Sequence, residues 1–176
     1  PQDGVKVRVI AGQSQGVAGA VQRPVEAFPT DVLYLDIHFD NEGVFQQTLP
    51  KQQNAFLFVY RGAVNVISNA QETTVTLHRM AILHNEGQGV ALTASAGSKV
   101  LLIAGQPLNE PIAQYGPFVM NTQAEIHQAF ADYRRTEFGG WPWAASDPVH
   151  PRDAGRFAKH ADGRFEYADS AAGAHP

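Results

Sequence analysis

Over the first hundred positions of this chain, apolar and polar residues alternate in short bursts. The clearest burst is LYLDIHFD. Leu33, Leu35, Ile37 and Phe39 fall on one side, and Tyr34, Asp36, His38 and Asp40 on the other. This two-residue period is that of a strand with one covered face. Runs of the same kind occupy residues 5–10, 32–39, 44–49, 55–60, 63–67, 72–77, 80–83, 90–93 and 99–104. Turn-forming residues separate them, at Asn41-Glu42-Gly43, Arg61-Gly62, Ser68-Asn69-Ala70, Glu86-Gly87 and Ala96-Gly97. Gly62 lies between two apolar runs and is expected to make a tight hairpin, because glycine takes positive φ without a Cβ clash. Many short strands at hairpin spacing predict an antiparallel sandwich or barrel.

The period then changes. Residues 105–122, GQPLNEPIAQYGPFVMNT, hold Pro107, Pro111 and Pro117. With three amide donors missing and three φ angles fixed, this stretch is neither a helix interior nor a central strand. Thr122 followed by Glu125 has the form of a capping box that opens a helix. Ile126, Ala129, Phe130 and Tyr133 make an apolar stripe along it, and Arg134 and Arg135 suit its C-terminal dipole. Gly139-Gly140 is expected to supply the left-handed stop. Glu110, between prolines, is expected to pin the loop, with burial and bonds to loop amides as the sharper alternative. Two units are therefore expected, a folded domain over 1–140 and an irregular tail over 141–176. The tail aromatics Trp141, Trp143, Phe157, Phe165 and Tyr167 would anchor it on a barrel surface, and residues 170–176 would be disordered.

Composition narrows the chemistry. The 176 residues include no cysteine, so disulfides and thiolate metal sites are excluded, which suits a reducing cytoplasm. The net charge is −4 with the signs interspersed, so no basic stripe recommends nucleic acid, and no long apolar run reads as a membrane span. Residues 12–19, GQSQGVAG, are glycine-rich but lack the Lys-Ser/Thr ending of a phosphate loop and are followed by Pro24 and Pro29, so they read as a loop. The chain opens on Pro1, its only methionines are Met80 and Met120, and it passes directly into a strand pattern; a fragment of a longer protein is the expectation.

The seven histidines are His38, His78, His84, His127, His150, His160 and His175. His38, with Asp36, lies on the polar face of its strand, which is read first as solvated or as an inter-domain contact. A surface metal contact or catalytic pair is the sharper reading. His84-Asn85-Glu86-Gly87 reads first as a turn. His78 is near it, beside Arg79. Together His78, His84 and Glu86 are the weak metal candidates, with no third ligand at a convincing position for His84 and Glu86. His127 falls on the polar side of the helix.

Residues 105–122, together with Glu125-Ile126, resemble the signature at the end of the C-terminal cupin domain of the pirin family. Val7-Arg8-Val9-Ile10-Ala11-Gly12, residues 30–36 and residues 56–62 are similar to other parts of that domain. Gly140-Trp141-Pro142-Trp143 and Gly155-Arg156-Phe157-Ala158 are similar to bacterial members. The resemblance implies an all-β fold, an antiparallel cupin or jelly-roll-type β-sandwich barrel with one C-terminal helix. It also implies a two-domain parent whose missing N-terminal cupin domain holds iron or a similar divalent metal on three His and one Glu. Some family members are credited with quercetin 2,3-dioxygenase activity and others with regulatory roles. Metal-binding cupins carry a His-x-His pair, and this chain has none. The ligands have no positions to map to here, so no catalytic residue and no cofactor are assigned to the chain.

The function expected from this is architectural. The chain would be the metal-free C-terminal half, partnered by the missing N-terminal domain, with an exposed patch that drives homodimerisation when the half is isolated. The alternatives are an autonomous cupin enzyme binding a small molecule or a metal through His78, His84 and Glu86, and a module that captures a protein partner through its aromatic tail.

Overall fold

Each of the nine apolar runs forms a strand within two residues of its expected limits. The structure, a computed structural model, describes residues 4–21, 30–68 and 71–168. The expectations about Pro1, Pro24, Pro29, Asn69-Ala70, His175 and residues 170–176 lie outside those residues. The chain divides into two compact units, Pro1–Asn109 and Glu110–Pro176. The division falls before the capping box, whereas the composition change that suggested a boundary comes at residue 140.

The first unit contains β1 (Val5–Ala11), β2 (Gln13–Ser14), β3 (Val17–Ala18), β4 (Leu33–Phe39), β5 (Gly43–Thr48), β6 (Asn54–Arg61), β7 (Val64–Ser68), β8 (Gln71–Val75), β9 (Met80–Leu83), β10 (Gly89–Ala94) and β11 (Lys99–Gly105). A five-stranded sheet runs in the order β1-β4-β11-β6-β9 and a four-stranded sheet in the order β5-β10-β7-β8. All their pairings are antiparallel. The inward sides of the two sheets share one core. Leu35, Ile37, Leu57, Val59, Val100 and Leu102 enter it from the first sheet, and Phe45, Val64 and Leu92 from the second. Every apolar residue that alternation assigned to the inner side of β4 is buried. The arrangement is a sandwich of jelly-roll type, with its two sheets not closed into a barrel.

Most of the turns expected to be hairpins are corners between the sheets. The chain leaves one sheet for the other after β4, β6, β9 and β10. Of the predicted hairpin turns, only the one joining β7 and β8 connects paired neighbours. Gly62 is such a corner, so its expected hairpin is corrected. It holds φ +70, and a Cβ placed there would lie 2.5 Å from Ser98 Oγ and 3.1 Å from Ser98 Cα. What requires glycine is the close pass of buried Ser98 as the strands change sheets. Residues 12–19 are not a plain loop either, because β2 and β3 pair as a small hairpin.

In the second unit, the proline-bearing segment contains a hairpin of β12 (Ala113–Tyr115) and β13 (Phe118–Met120) turning at Gly116-Pro117. Glu110 is exposed, and its Oε2 accepts from Asn121 Nδ2 at 2.8 Å. It therefore pins the two ends of the segment through a side chain, and the buried, amide-bonded alternative is corrected. Helix α1 (Gln123–Thr136) starts at the predicted capping box. Thr122 Oγ1 accepts from the Glu125 amide at 3.2 Å, and Glu125 Oε2 accepts from the Thr122 amide at 2.7 Å. The stop is taken by Glu137 at φ 49, whose amide donates to the Tyr133 carbonyl. The glycines expected to provide it come later, at the end of a short 3-10 turn, Glu137–Gly139. The tail is not wholly irregular. A second 3-10 turn, Arg152–Ala154, precedes a hairpin of β14 (Phe157–Lys159) and β15 (Phe165–Tyr167). Its aromatics pack on one another. The Phe157 ring lies 5.5 Å from Phe165 and 6.3 Å from Tyr167, and Lys159 Nζ sits 5.2 Å over Trp143.

Candidate functional site

The side of β4 that faces away from the core carries Tyr34, Asp36 and His38. Register places Arg8 of β1 and Leu101 of β11 beside Asp36, and Lys6 of β1 and Lys99 of β11 beside His38. Further across the sheet, Leu101 faces Phe58 and Phe58 faces Met80. In the next row Ile103 faces Phe56 and Phe56 faces Ile82. This side of the sheet therefore has an apolar end and a polar end.

Tyr60 marks the border, and a bulge puts it there. Lys99 pairs with Arg61 while Val100 pairs with Val59, which leaves Tyr60 without a cross-strand partner on β11. An extra residue of this kind bends the strand and re-aims its side chain. The phenol spans β11 to reach β4. Tyr60 Oη donates to Asp36 Oδ1 at 2.6 Å and lies 2.9 Å from His38 Nε2, which is itself 3.0 Å from Asp36 Oδ1. One proton arrangement satisfies all three contacts. The phenol gives its single proton to the carboxylate, and His38, as the Nε2–H tautomer, donates toward Oδ1 and the phenol oxygen. Arg8 Nη1 stands 4.0 Å from the other carboxylate oxygen, Asp36 Oδ2.

Of the two readings first given for Asp36 and His38, a solvated face and an inter-domain contact, the environment speaks against the solvated face. Their side chains are only 13% and 19% exposed. The Tyr60 phenol is pushed up from 10.0 to about 12, first by burial and then by its hydrogen bond to Asp36 and the negative charge there. Tyr60 is thus a fixed proton donor throughout the neutral range. The cluster satisfies itself, as a half-covered polar network must.

These donors do not suit a cupin-type metal centre. Only Asp36 and His38 ligate readily. The phenol is held protonated, and a guanidinium stands nearby. Among the described residues, no group of three or more His, Asp or Glu side chains is placed to hold a metal. His78, His84 and Glu86 are not brought together. His78 lies in the turn before β9, with φ 60 and its amide donating to the Val59 carbonyl, whereas His84 and Glu86 follow the far end of that strand. His150 packs on Phe157 at 4.7 Å, and His160 Nε2 lies 3.0 Å from Glu166 Oε2. His127 is exposed on α1, as expected. Sequence reasoning missed Tyr60 and Arg8. The available signal was that Tyr60 continues the outward series Phe56, Phe58, but β11 and the bulge that complete the geometry leave no local mark.

Residues 34–139, which include Asp36, His38 and Tyr60, match the family model of the pirin C-terminal cupin domain. The chain belongs to the pirin family. A Pseudomonas aeruginosa protein named provisionally as a quercetin 2,3-dioxygenase is 43% identical over 136 residues, covering 74% of this chain and 45% of that protein. Mouse pirin is 37% identical over 140 residues, covering 78% of this chain and 46% of its own length. The crystal structure of a quercetin 2,3-dioxygenase from Acinetobacter baumannii superposes with a TM-score of 0.66 at 36% identity, over 78% of this chain and 45% of that one. The cupin sandwich expected from the resemblance is therefore the observed fold. The chain spans about half the length of the pirin relatives it matches. No helix among its described residues is long and apolar enough to cross a membrane.

Proposed function

We propose that this chain is the metal-free C-terminal cupin half of a pirin-type two-domain protein, and that its role is architectural. The observation that carries the proposal is the match of residues 34–139 to the pirin C-terminal cupin domain in a chain covering 45% of a longer relative. The outer side of the five-stranded sheet supports it. Met80 and Ile82 on the edge strand are 56% and 77% exposed, beside the half-buried Phe56 and Phe58. Exposed apolar residues grouped in this way mark surfaces that take a partner. The partner we assign is the metal-bearing N-terminal cupin domain, with the Asp36–His38–Tyr60 network as a polar anchor next to the apolar contact. The parent would be an iron-dependent, quercetinase-like dioxygenase or a regulatory cofactor, working in the cytoplasm, where a chain without cysteines has no need of disulfides. Alone, the chain would pair with a second copy through the same surface.

The test is the intact mass and metal content of the native protein from its source, beside those of this chain. The reading expects a native protein of about twice the size, with metal there and none in the chain alone. It also expects the chain to capture the separately produced N-terminal half at equal stoichiometry, and Ile82→Lys to weaken that capture. A native protein of this size with one metal per chain would refute it.

A further inference from the structure

The second unit contains a groove of about 490 Å³ between α1 and β12, lined by Tyr115, Gln123, Ile126, His127, Phe130 and Arg134. Its size falls within the range of small-molecule sites, about 300–1,000 Å³. The helix supplies one wall with residues one turn apart, so Ile126, Phe130 and Arg134 share a side. Tyr115 supplies another, its ring 5.6 Å from that of Phe130 at 62°. Two aromatic rings set edge to face present carbon surface to a flat guest.

The charge in the groove is of one sign. Arg134 has no carboxylate partner among the described residues, while its neighbour Arg135 is held by Asp132 at 2.7 Å. Asp132 is thereby occupied, its carboxyl held below the usual range first by that hydrogen bond. Glu125, the other acid on the first turns of α1, is committed to the capping box. No acid lines the groove. An unpaired planar guanidinium at one end of an aromatic slot recognises a planar anion, because its fork matches both oxygens of a carboxylate.

The geometry points to a binding site for a planar aromatic carboxylate, with its rings lying against the groove side of Tyr115 and Phe130 and its carboxylate on Arg134. All the residues of this site belong to the second unit.

The experiment is a titration of the whole chain with 2-naphthoate and with neutral 2-naphthalenemethanol, followed by two-dimensional amide NMR. The expected result is saturable shifts at residues 115, 123, 126, 127, 130 and 134 with naphthoate, and weaker binding of the alcohol. Arg134→Gln, an exposed helix position, should reduce naphthoate affinity about tenfold, the effect of one charge-assisted contact, and leave the alcohol unchanged. Tyr115→Ala should weaken both. Absence of saturation, equal binding of the two probes, or naphthoate binding indifferent to Arg134→Gln would each overturn the assignment.

Discussion

Tyr60 Oη lies 2.6 Å from Asp36 Oδ1, although the strands that carry them, β6 and β4, do not pair and β11 runs between them. Backbone ladders join only adjacent strands. This side-chain contact clamps three strands at once, and it exists because a bulge frees Tyr60 from the ladder.

Removing the phenol oxygen with Tyr60→Phe should cost about 1 kcal/mol near neutral pH, the net contribution of one hydrogen bond. The pH dependence follows from the sign of the shift. The folded state holds the phenol at about 12 and the unfolded chain at 10.0, so the contribution is full below pH 10 and vanishes as the pH approaches 12. Phenolate absorbance offers an independent check. Of five tyrosines, the one that titrates late should disappear in Tyr60→Phe. In Asp36→Asn it should move only part of the way down, since burial, the largest cause, remains. A Tyr60 that titrates normally would sink this account.

The two corner glycines should differ. Gly62→Ala places a methyl group 2.5 Å from Ser98 Oγ at φ +70, whereas Gly97→Ala at φ +84 meets nothing within 4 Å. Gly97→Ala should lose only the left-handed backbone penalty, about 1 kcal/mol. Gly62→Ala should lose that and a steric cost besides, for about 2–4 kcal/mol in all. Urea denaturation of the two variants compares them directly, and equal losses would remove the close pass at Ser98 as the reason for Gly62.

Thr122→Ala should lower stability of the second unit by about 1 kcal/mol. The capping box is reciprocal, so Glu125→Ala should cost a similar amount and the double variant less than the sum of the two. Helical circular dichroism through a thermal ramp is the measurement. Additive losses would mean that the two side chains act separately.

The sequence-to-structure relation has a clear boundary. Strand positions were legible because Leu33 to Phe39 alternate, and alternation is a local property. The start of α1 was legible because a capping box is contained within four residues. Strand partners were not, because β4 pairs with β11 more than sixty residues later, and no local pattern records that choice. The same gap hid Tyr60. The helix stop was misplaced for a different reason. Phe138 packs on Phe118 at 5.9 Å and on Tyr133 at 5.3 Å. Two aromatic contacts contribute about 1–3 kcal/mol. Glu137 and Phe138 both lie in the left-handed region, at φ 49 and φ 51, a penalty of roughly 2–4 kcal/mol together; the contacts offset much of it, so tertiary packing overrules the preference for glycine.

The strand order also sets a timetable for synthesis. β11 is the last strand of the first unit in sequence and lies at the centre of the five-stranded sheet. Until Gly105 leaves the ribosome, β4 and β6 each have an open edge and no shared neighbour. A nascent chain stopped between Arg61 and Lys99 carries two apolar strands with free backbone groups, the form most prone to pair with other chains. Such pairing between distant segments also makes folding slow. Translation of one short segment, Lys99–Gly105, is therefore the event that converts an aggregation-prone intermediate into a sheet able to close.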